Sequence, residues 1–429
     1  GSPADKAGLK IGDKILSIDS KDAKGFTTEQ VSSRLKGEPG SKVKVTVEHL
    51  DGTQQTAAIR RERIAIPGVP YAGWVADGIG YIRHSDFTEG CYEEMRAAIE
   101  RLRTERPLKG LVLDYRSNGG GIMQEAIKIL GMFVPKGTEV VSTKGRTEEP
   151  ILPDLPLAVL INGNSASASE IVTGALQDLD RAVVIGQRSY GKGLVQSPRP
   201  LGYNAMLKLT TAKYYIPSGR CIQAIDYSHS QEGSVKAIPD SLITEYRTRA
   251  GRKVYDGGGI MPDIRTEPEY ISRFAMTLYA LGFVEDFGDD YMRRHPDQRI
   301  DIRNFSITDR DYADFAEFMK DKKVPYESDT RRALKALKKA AEDDRFADLK
   351  EKFDRVEAEL KDDTQTNLET YRTQVVETIN NDIVMRHGYS EGVIEHSLKD
   401  DPEVLRATEI LGDGAAYTRI VTEQDTPRK

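Results

Sequence analysis

The apolar positions of this chain change rhythm along its length. Residues 1–64 read as short strands, alternating in KILSID, KVKVTVEHL and TAAIRRE, around one helical stretch, TTEQVSSRLK, opened by an N-capping Thr and closed by Gly37. A small β-rich module is expected there. The two prolines of IPGVPYAG then interrupt the pattern as a linker does. From about residue 79 to 216 apolar runs (GLVLDY, LPLAVLI, AVVIG) alternate with amphipathic stretches, one of which sets Met95, Ala98, Ile99 and Leu102 on a single face. Strands buried on both faces and separated by such helices predict a mostly parallel α/β core over 65–267, with AMLKLTTAKYYI as a further strand. Beyond 268 the text is long, charged and helical. Leu349, Phe353, Val356 and Leu360 recur at helical spacing, as do Leu368, Tyr371, Val375 and Ile379. A helical packing domain over 268–429 is expected, not a coiled coil, because clean heptads do not persist.

Composition narrows the partners. At 429 residues the chain exceeds what one core holds, roughly 250–300 residues, so several modules are expected. A formal net charge of -6, with no Lys/Arg block dominating one face, gives nucleic acid and anionic membranes no electrostatic hold and leaves proteins or peptides as partners. Cys91 and Cys221 are too few for a disulfide framework and read as free thiols. No run of about 18 apolar residues predicts a membrane span, and GSPADKAGLK is not a signal peptide. No metal or cofactor is expected.

Two segments carry candidate chemistry. The stretch GQRSYGKG, Gly186 to Gly193, nearly fits the phosphate-loop pattern G-x-x-x-x-G-K-[ST], but Gly193 has no hydroxyl and the two prolines of LVQSPRP stand where a helix should open. A nucleotide-dependent enzyme is a rival reading; Lys192 needs another use. In INGNSASASEI, at a junction from apolar strand to amphipathic helix, Ser167 and Glu170 match a capping box. The same turn is where a nucleophilic Ser is exposed beside free helix amides. Both readings stay open. The six histidines, His49, His84, His229, His295, His387 and His396, stand in no recognisable triad context; a His base stays open beside a Ser-Lys dyad with Lys192 as base, and Gln196 reads either as orienting its amine or as an ordinary loop glutamine.

Taken in order, GSPADKAGLKIGDKIL, LDYRSNGGG, LINGNSASASEIVTGAL, GQRSYGKGLVQ, TTAKYYIPSGRCIQ and GGGIMPD resemble the carboxyl-terminal processing (tail-specific) serine proteases over residues 1 to about 265. The resemblance implies a nucleophile at Ser167, a general base at Lys192 and an orienting glutamine at Gln196. Its oxyanion amides fall on Ala168 and on Gly120, with Gly121 the alternative, because Gly119 stands where the family usually has Pro. It also implies a core of the type shared by ClpP and crotonase enzymes, preceded over 1–64 by a PDZ domain that captures substrate C-termini by strand addition. The family's carboxylate loop and first strand normally precede GSPADKAGL, so the PDZ domain is expected truncated here. A periplasmic or cell-envelope setting follows from the same resemblance. The helical text after 268 lies outside it and offers a surface for packing on the core or on a second copy. The rival from another class is a silent peptide-binding scaffold, which needs none of Ser167, Lys192 and Gln196.

Overall fold

The computed structural model describes residues 1–141, 150–203, 205–226, 236–237, 243–360 and 363–422. The chain divides into two compact units, Gly1–Ile64 with Glu269–His396 and Ala65–Pro268 with Ser397–Lys429.

In the first unit the alternating segments become α1 (Pro3–Lys6), β1 (Lys14–Ile18), β2 (Lys21–Asp22), α2 (Thr28–Leu35), β3 (Lys42–Glu48) and β4 (Gln54–Arg60), an antiparallel sheet ordered β2-β1-β3-β4. The period of two decides the faces: Val43, Val45 and Val47 of β3 join Ile18 and Ile59 in a small core, while Lys42 and Lys44 face water. A capping box opens α2, Thr27 N–H donating to Gln30 Oε1 at 2.9 Å and Gln30 N–H to Thr27 Oγ1 at 3.3 Å. Its last carbonyls, on Arg34 and Leu35, accept from the Arg61 guanidinium at 2.9 and 2.8 Å.

The second unit runs β5 (Tyr71–Ala76), β6 (Ile79–Arg83), α3 (Cys91–Glu105), β7 (Gly110–Asp114), α4 (Met123–Gly131), β8 (Leu157–Ile161), α5 (Ala168–Asp178) and β9 (Val183–Gly186). After these come β10 (Leu194–Gly202), β11 (Ala205–Lys213), β12 (Ile225–Asp226), β13 (Lys236–Ala237), β14 (Glu245–Arg247), β15 (Lys253–Tyr255) and β16 (Ile264–Arg265). The central sheet is ordered β16-β9-β8-β7-β6-β5, parallel except for the β5–β6 pair. Every residue of β7 and β8 is buried, which is why both read as unbroken apolar runs. From α3, Met95, Ile99 and Leu102 enter the core, and α5 is buried along its whole length. The proline-bearing LVQSPRP is strand β10, paired with β11 in a separate two-stranded ribbon whose β11 is exposed throughout.

The remaining helices are α6 (Arg273–Ala280), α7 (Phe283–Arg294), α8 (Asp309–Phe318), α9 (Asp329–Asp343), α10 (Lys350–Glu359), α11 (Thr364–Thr370), α12 (Arg372–Ser397), α13 (Pro402–Gly412) and α14 (Gly414–Thr422). Leu368, Val375 and Ile379 are buried with Phe274, Phe287 and Phe315 in the core of the first unit, and Tyr371 marks the break between α11 and α12. The equally periodic row on α10 buries none of that helix's residues. Helices α13 and α14 return to the second unit, where Val404, Ala407 and Ile410 are buried and Tyr417 Oη donates to the Arg181 carbonyl at 3.0 Å. The helical domain expected over 268–429 is thus divided after residue 396. Helical period reports an apolar stripe, not which core the stripe covers.

A buried ionic frame fixes the segment after β11 beneath α5. Fully buried Arg220 donates to Gln177 Oε1 and Asp178 Oδ1, both at 2.8 Å, and Arg252 pairs with Asp180 and Asp263, both at 2.7 Å. This brings Gly191 so close to Ala224 that a Cβ on Gly191 would lie 2.3 Å from the Ala224 Cβ, at φ +86°. Gly202, at φ +85°, has nothing within 4 Å of the same position. Replacing Gly191 by Ala therefore carries both left-handed strain and a clash, about 2–4 kcal/mol, against about 1 kcal/mol for Gly202→Ala. Urea unfolding of the two full-length variants checks this; equal losses would show that the loop relaxes freely.

Candidate active site

Three loops meet at the carboxyl ends of β7, β8 and β9. The first, residues 115–121, is fastened to the second, residues 162–168, by a set of short polar bonds. Ser117 N–H donates to Asn162 Oδ1 at 2.9 Å, Ser165 Oγ to the Tyr115 carbonyl at 2.8 Å, and Ala166 N–H to the Asn118 carbonyl at 2.9 Å. Asn118, fully buried, also donates its amide to the His84 carbonyl at 2.8 Å.

Ser167 sits at the turn from β8 into α5 with φ 56° and ψ -114°. That conformation is strained for a side chain with a Cβ, and strain of about 1–3 kcal/mol persists only where the surroundings enforce it. Here Glu170 enforces it. Ser167 N–H donates to Glu170 Oε2 at 2.8 Å, the reaching-back half of the expected capping box. The same Oε2 accepts Lys192 N–H at 2.8 Å, and Oε1 accepts Gly191 N–H at 2.7 Å and Ser189 Oγ at 2.6 Å. One fully buried carboxylate therefore holds both the serine turn and the lysine loop. Burial pushes its pKa upward against these donors. The buried Tyr214 hydroxyl bridges the same two positions, donating to the Lys192 carbonyl, with the Ser167 carbonyl at 3.3 Å.

The lysine loop offers nothing to a phosphate. Ser189 N–H donates to the Ile260 carbonyl, Tyr190 N–H to the Ser165 carbonyl and Gly193 N–H to Gln223 Oε1, so its amides are engaged along with those held by Glu170. A phosphate cradle needs such amides free. Lys192 is half-buried, and among the described residues none forms an ion pair or hydrogen bond with its side chain. Gln196 stands exposed on β10, opposite Thr210.

The glycine loop abuts the serine. A Cβ on Gly120, at φ +97°, would lie 2.7 Å from Ser167 Cβ and 2.9 Å from the Ala168 nitrogen, so only glycine fits. Its own N–H, however, donates to Asn118 Oδ1 at 2.9 Å. The amides of Ala168, at the first turn of α5, and of Gly121 have no partner among the described residues. Sequence reasoning missed Asn118, Ser165 and Tyr214. Each is an unremarkable polar residue inside or beside a motif, and only the convergence of loops in space reveals its work.

His84 adjoins this loop system, its ring against Phe87 and Tyr115 at centroid distances of 4.3 and 5.3 Å; His229 lies outside the described residues. Among the described residues neither His84 Nδ1 nor the Tyr115 hydroxyl has a hydrogen-bond partner, and burial lowers the His84 pKa to about 4.

Residues 78–229 match the model of peptidase family S41, residues 1–49 that of a PDZ domain, and residues 274–411 that of the C-terminal helical domain of probable PDZ-proteases. The stretch 78–229 is thus a peptidase family S41 domain, accompanied by a PDZ domain and a C-terminal helical domain of the PDZ-protease type. The carboxy-terminal-processing protease of Bartonella bacilliformis is 44% identical over 239 residues, 52% of this chain and 54% of that protein. The carboxyl-terminal-processing protease of a Synechocystis species is 37% identical over 257 residues, 57% of each chain. This chain thus spans about half the length of these curated relatives. A solved photosystem II D1 C-terminal processing protease aligns with TM-score 0.36 at 27% identity, over 63% of this chain and 67% of the other.

The His84 geometry sets a pH dependence. The unfolded chain takes up the proton near the ordinary 6.5 and the folded one only near 4, so stability falls as pH drops through that window and the loss is complete below it. Its size is about 3 kcal/mol. Urea unfolding at pH 7 and pH 4 should show this loss in the native chain and a loss smaller by about that amount in His84→Gln. Equal losses would mean that His84 is hydrated in the fold.

Proposed function

We propose that this chain is a serine endopeptidase acting through a Ser167–Lys192 dyad on polypeptides presented by their C-terminal tails. The observation that carries the reading is the Glu170 carboxylate, which accepts both the Ser167 and the Lys192 amides at 2.8 Å and so holds the backbone of a strained helix-start serine beside that of a lysine whose side chain has no counter-ion among the described residues. A lysine takes a proton only as the neutral amine.

In this mechanism Lys192 Nζ accepts the Ser167 hydroxyl proton as Oγ attacks the scissile carbonyl. The oxyanion that forms is met by the Ala168 amide at the positive end of α5 and by an amide of the glycine loop. Gly120 serves once its N–H exchanges Asn118 Oδ1 for the oxyanion; the Gly121 amide is the alternative donor. Collapse of the tetrahedral intermediate breaks the C–N bond, and the lysine ammonium returns its proton to the leaving amine. Water, deprotonated by the same Lys192, then releases the acyl group from Ser167. Gln196 orients the Lys192 amine, a role given to it by the family resemblance alone. Residues 1–64, together with the strand and carboxylate loop that precede them in the family, hold the substrate's C-terminus, and the family setting is the periplasm or cell envelope.

Ser167→Ala should abolish covalent labelling by a fluorophosphonate. Lys192→Ala and Lys192→Arg should each lower peptidase turnover at least 100-fold with the fold intact, the Arg because its guanidinium stays charged. Substantial activity in Lys192→Arg would remove Lys192 as the base and reopen the histidines. Tail capture is tested separately by isothermal titration of peptides ending in an apolar residue: amidating the C-terminus should weaken binding about tenfold or more, since the carboxylate is lost. Equal affinity for free and amidated peptides would refute capture of the terminus.

A further inference from the structure

The first and third of the loops that meet at Ser167 are tied to each other, at their roots, by a residue from far along the chain. Glu403 stands in the first turn of α13 and is nearly buried, with 5% of its surface exposed. Its Oε2 accepts Arg116 Nη1 at 2.9 Å. Its Oε1 accepts Gln187 Nε2 and Thr266 Oγ1, both at 2.5 Å, and Gln187 Nε2 also donates to Thr266 Oγ1 at 2.7 Å. Arg116 opens the glycine loop directly after β7, and Gln187 opens the lysine loop directly after β9.

Arg116 takes its remaining partners from the start of this helix. Its Nε and Nη2 are held by Asp114, while Nη1 turns to Glu403 and to Asp401 Oδ2 at 2.7 Å. Asp114 is itself fully buried; burial alone would raise its pKa, but Arg116 and Arg83 outweigh it and lower it to about 2. The guanidinium thus joins the end of β7 to the start of α13 in one charged cluster.

We infer that Glu403 is a positioning residue for the peptidase site, setting the glycine loop and the lysine loop in register with each other. The inference rests on the proposed dyad. Its chemical requirement is specific, because both Glu403 oxygens accept hydrogen bonds from donors on different loops. A glutamine has one accepting oxygen and one donating nitrogen, so it can serve the Arg116 side or the Gln187 side but not both. An aspartate is one methylene too short to reach both. Glu403→Gln keeps size and burial and removes the register.

The test uses the full chain in two readouts. Amide hydrogen exchange in the native chain and Glu403→Gln should show faster exchange over both 116–121 and 187–193 in the variant, with β7 and β8 as protected as before. Fluorophosphonate labelling of Ser167 should slow about tenfold, and kcat for a peptide substrate should fall by a similar factor with KM and Tm nearly unchanged. Asp401→Asn, which removes only the second partner of Arg116, should leave the lysine loop's exchange unaltered. Unchanged exchange in either loop overturns the coupling. Faster exchange in both loops with unchanged labelling overturns the positioning role. If the native chain shows no Ser167-dependent labelling, it is the dyad that fails, and the exchange data still decide whether Glu403 couples the loops.

Discussion

The Glu170 carboxylate is taken wholly out of water, and an unpaired charge there would cost several kcal/mol. What makes it tolerable is a ring of donors, three backbone N–H groups and the Ser189 hydroxyl, each worth about 1.5–3 kcal/mol when the acceptor is charged. Those donors are the backbone of the serine turn and of the lysine loop. The carboxylate can be buried only if both loops are where they are, and the loops keep their shape only while it is buried. Ser167 can therefore sit at φ 56°, because relaxing it would strip an acceptor from its amide and a donor from a buried charge.

The sheet explains why these loops meet at all. In a parallel sheet every strand ends on the same edge, so the segments after β6, β7, β8, β9 and β16 emerge side by side. His84 follows β6, Arg116 to Gly121 follow β7, Asn162 to Ser167 follow β8, Gln187 to Lys192 follow β9 and Thr266 follows β16. Residues distant in sequence are adjacent because a single edge collects them. The polar bonds then divide the work: Asn162, Ser165 and Asn118 hold the first two loops together, Glu170 and Tyr214 the second and third, and Glu403 the first and third.

Much of this was legible in the sequence. Strands β7 and β8 announced themselves as unbroken apolar runs because both faces are covered, and Met95, Ile99 and Leu102 announced the buried face of α3. Ser167 and Glu170 stood out because a capping box and a nucleophile turn demand the same residues at the same spacing. The proline-bearing LVQSPRP gave the right negative, since no helix follows the lysine loop, and became an edge strand of a two-stranded ribbon, where proline costs little. Asn118, Tyr214 and Glu403 were not legible, because their work depends on which loops the sheet edge gathers. The boundary at residue 396 was hidden for a similar reason. Val404, Ala407 and Ile410 carry the same helical stripe as Val375 and Ile379, yet they cover the other core.

The glycine loop shows how these constraints trade against one another. Proline at position 119 would fix φ and remove an N–H, whereas glycine leaves the backbone loose and adds a donor. Nothing lies within 4 Å of a Cβ built on Gly119, so no contact in the fold demands glycine there. The order of the loop then rests on the bonds at its two ends. At one end Arg116 is held by Asp114, Asp401 and Glu403; in the middle Asn118 Oδ1 caps the Gly120 amide; at the far end Phe87 N–H donates to the Gly120 carbonyl at 3.1 Å and Ile122 N–H to the Phe87 carbonyl at 2.8 Å. The loop is held at both ends and by Asn118 between them, so in the proposed mechanism the exchange of the Asn118 oxygen for a substrate oxyanion falls to a rotation of the single peptide before Gly120. The exchange replaces a neutral acceptor by a charged one on the same donor, and charge-assisted bonds are about twice as strong. In the proposed mechanism, the developing charge is what would turn the Gly120 amide away from Asn118 and toward the oxyanion.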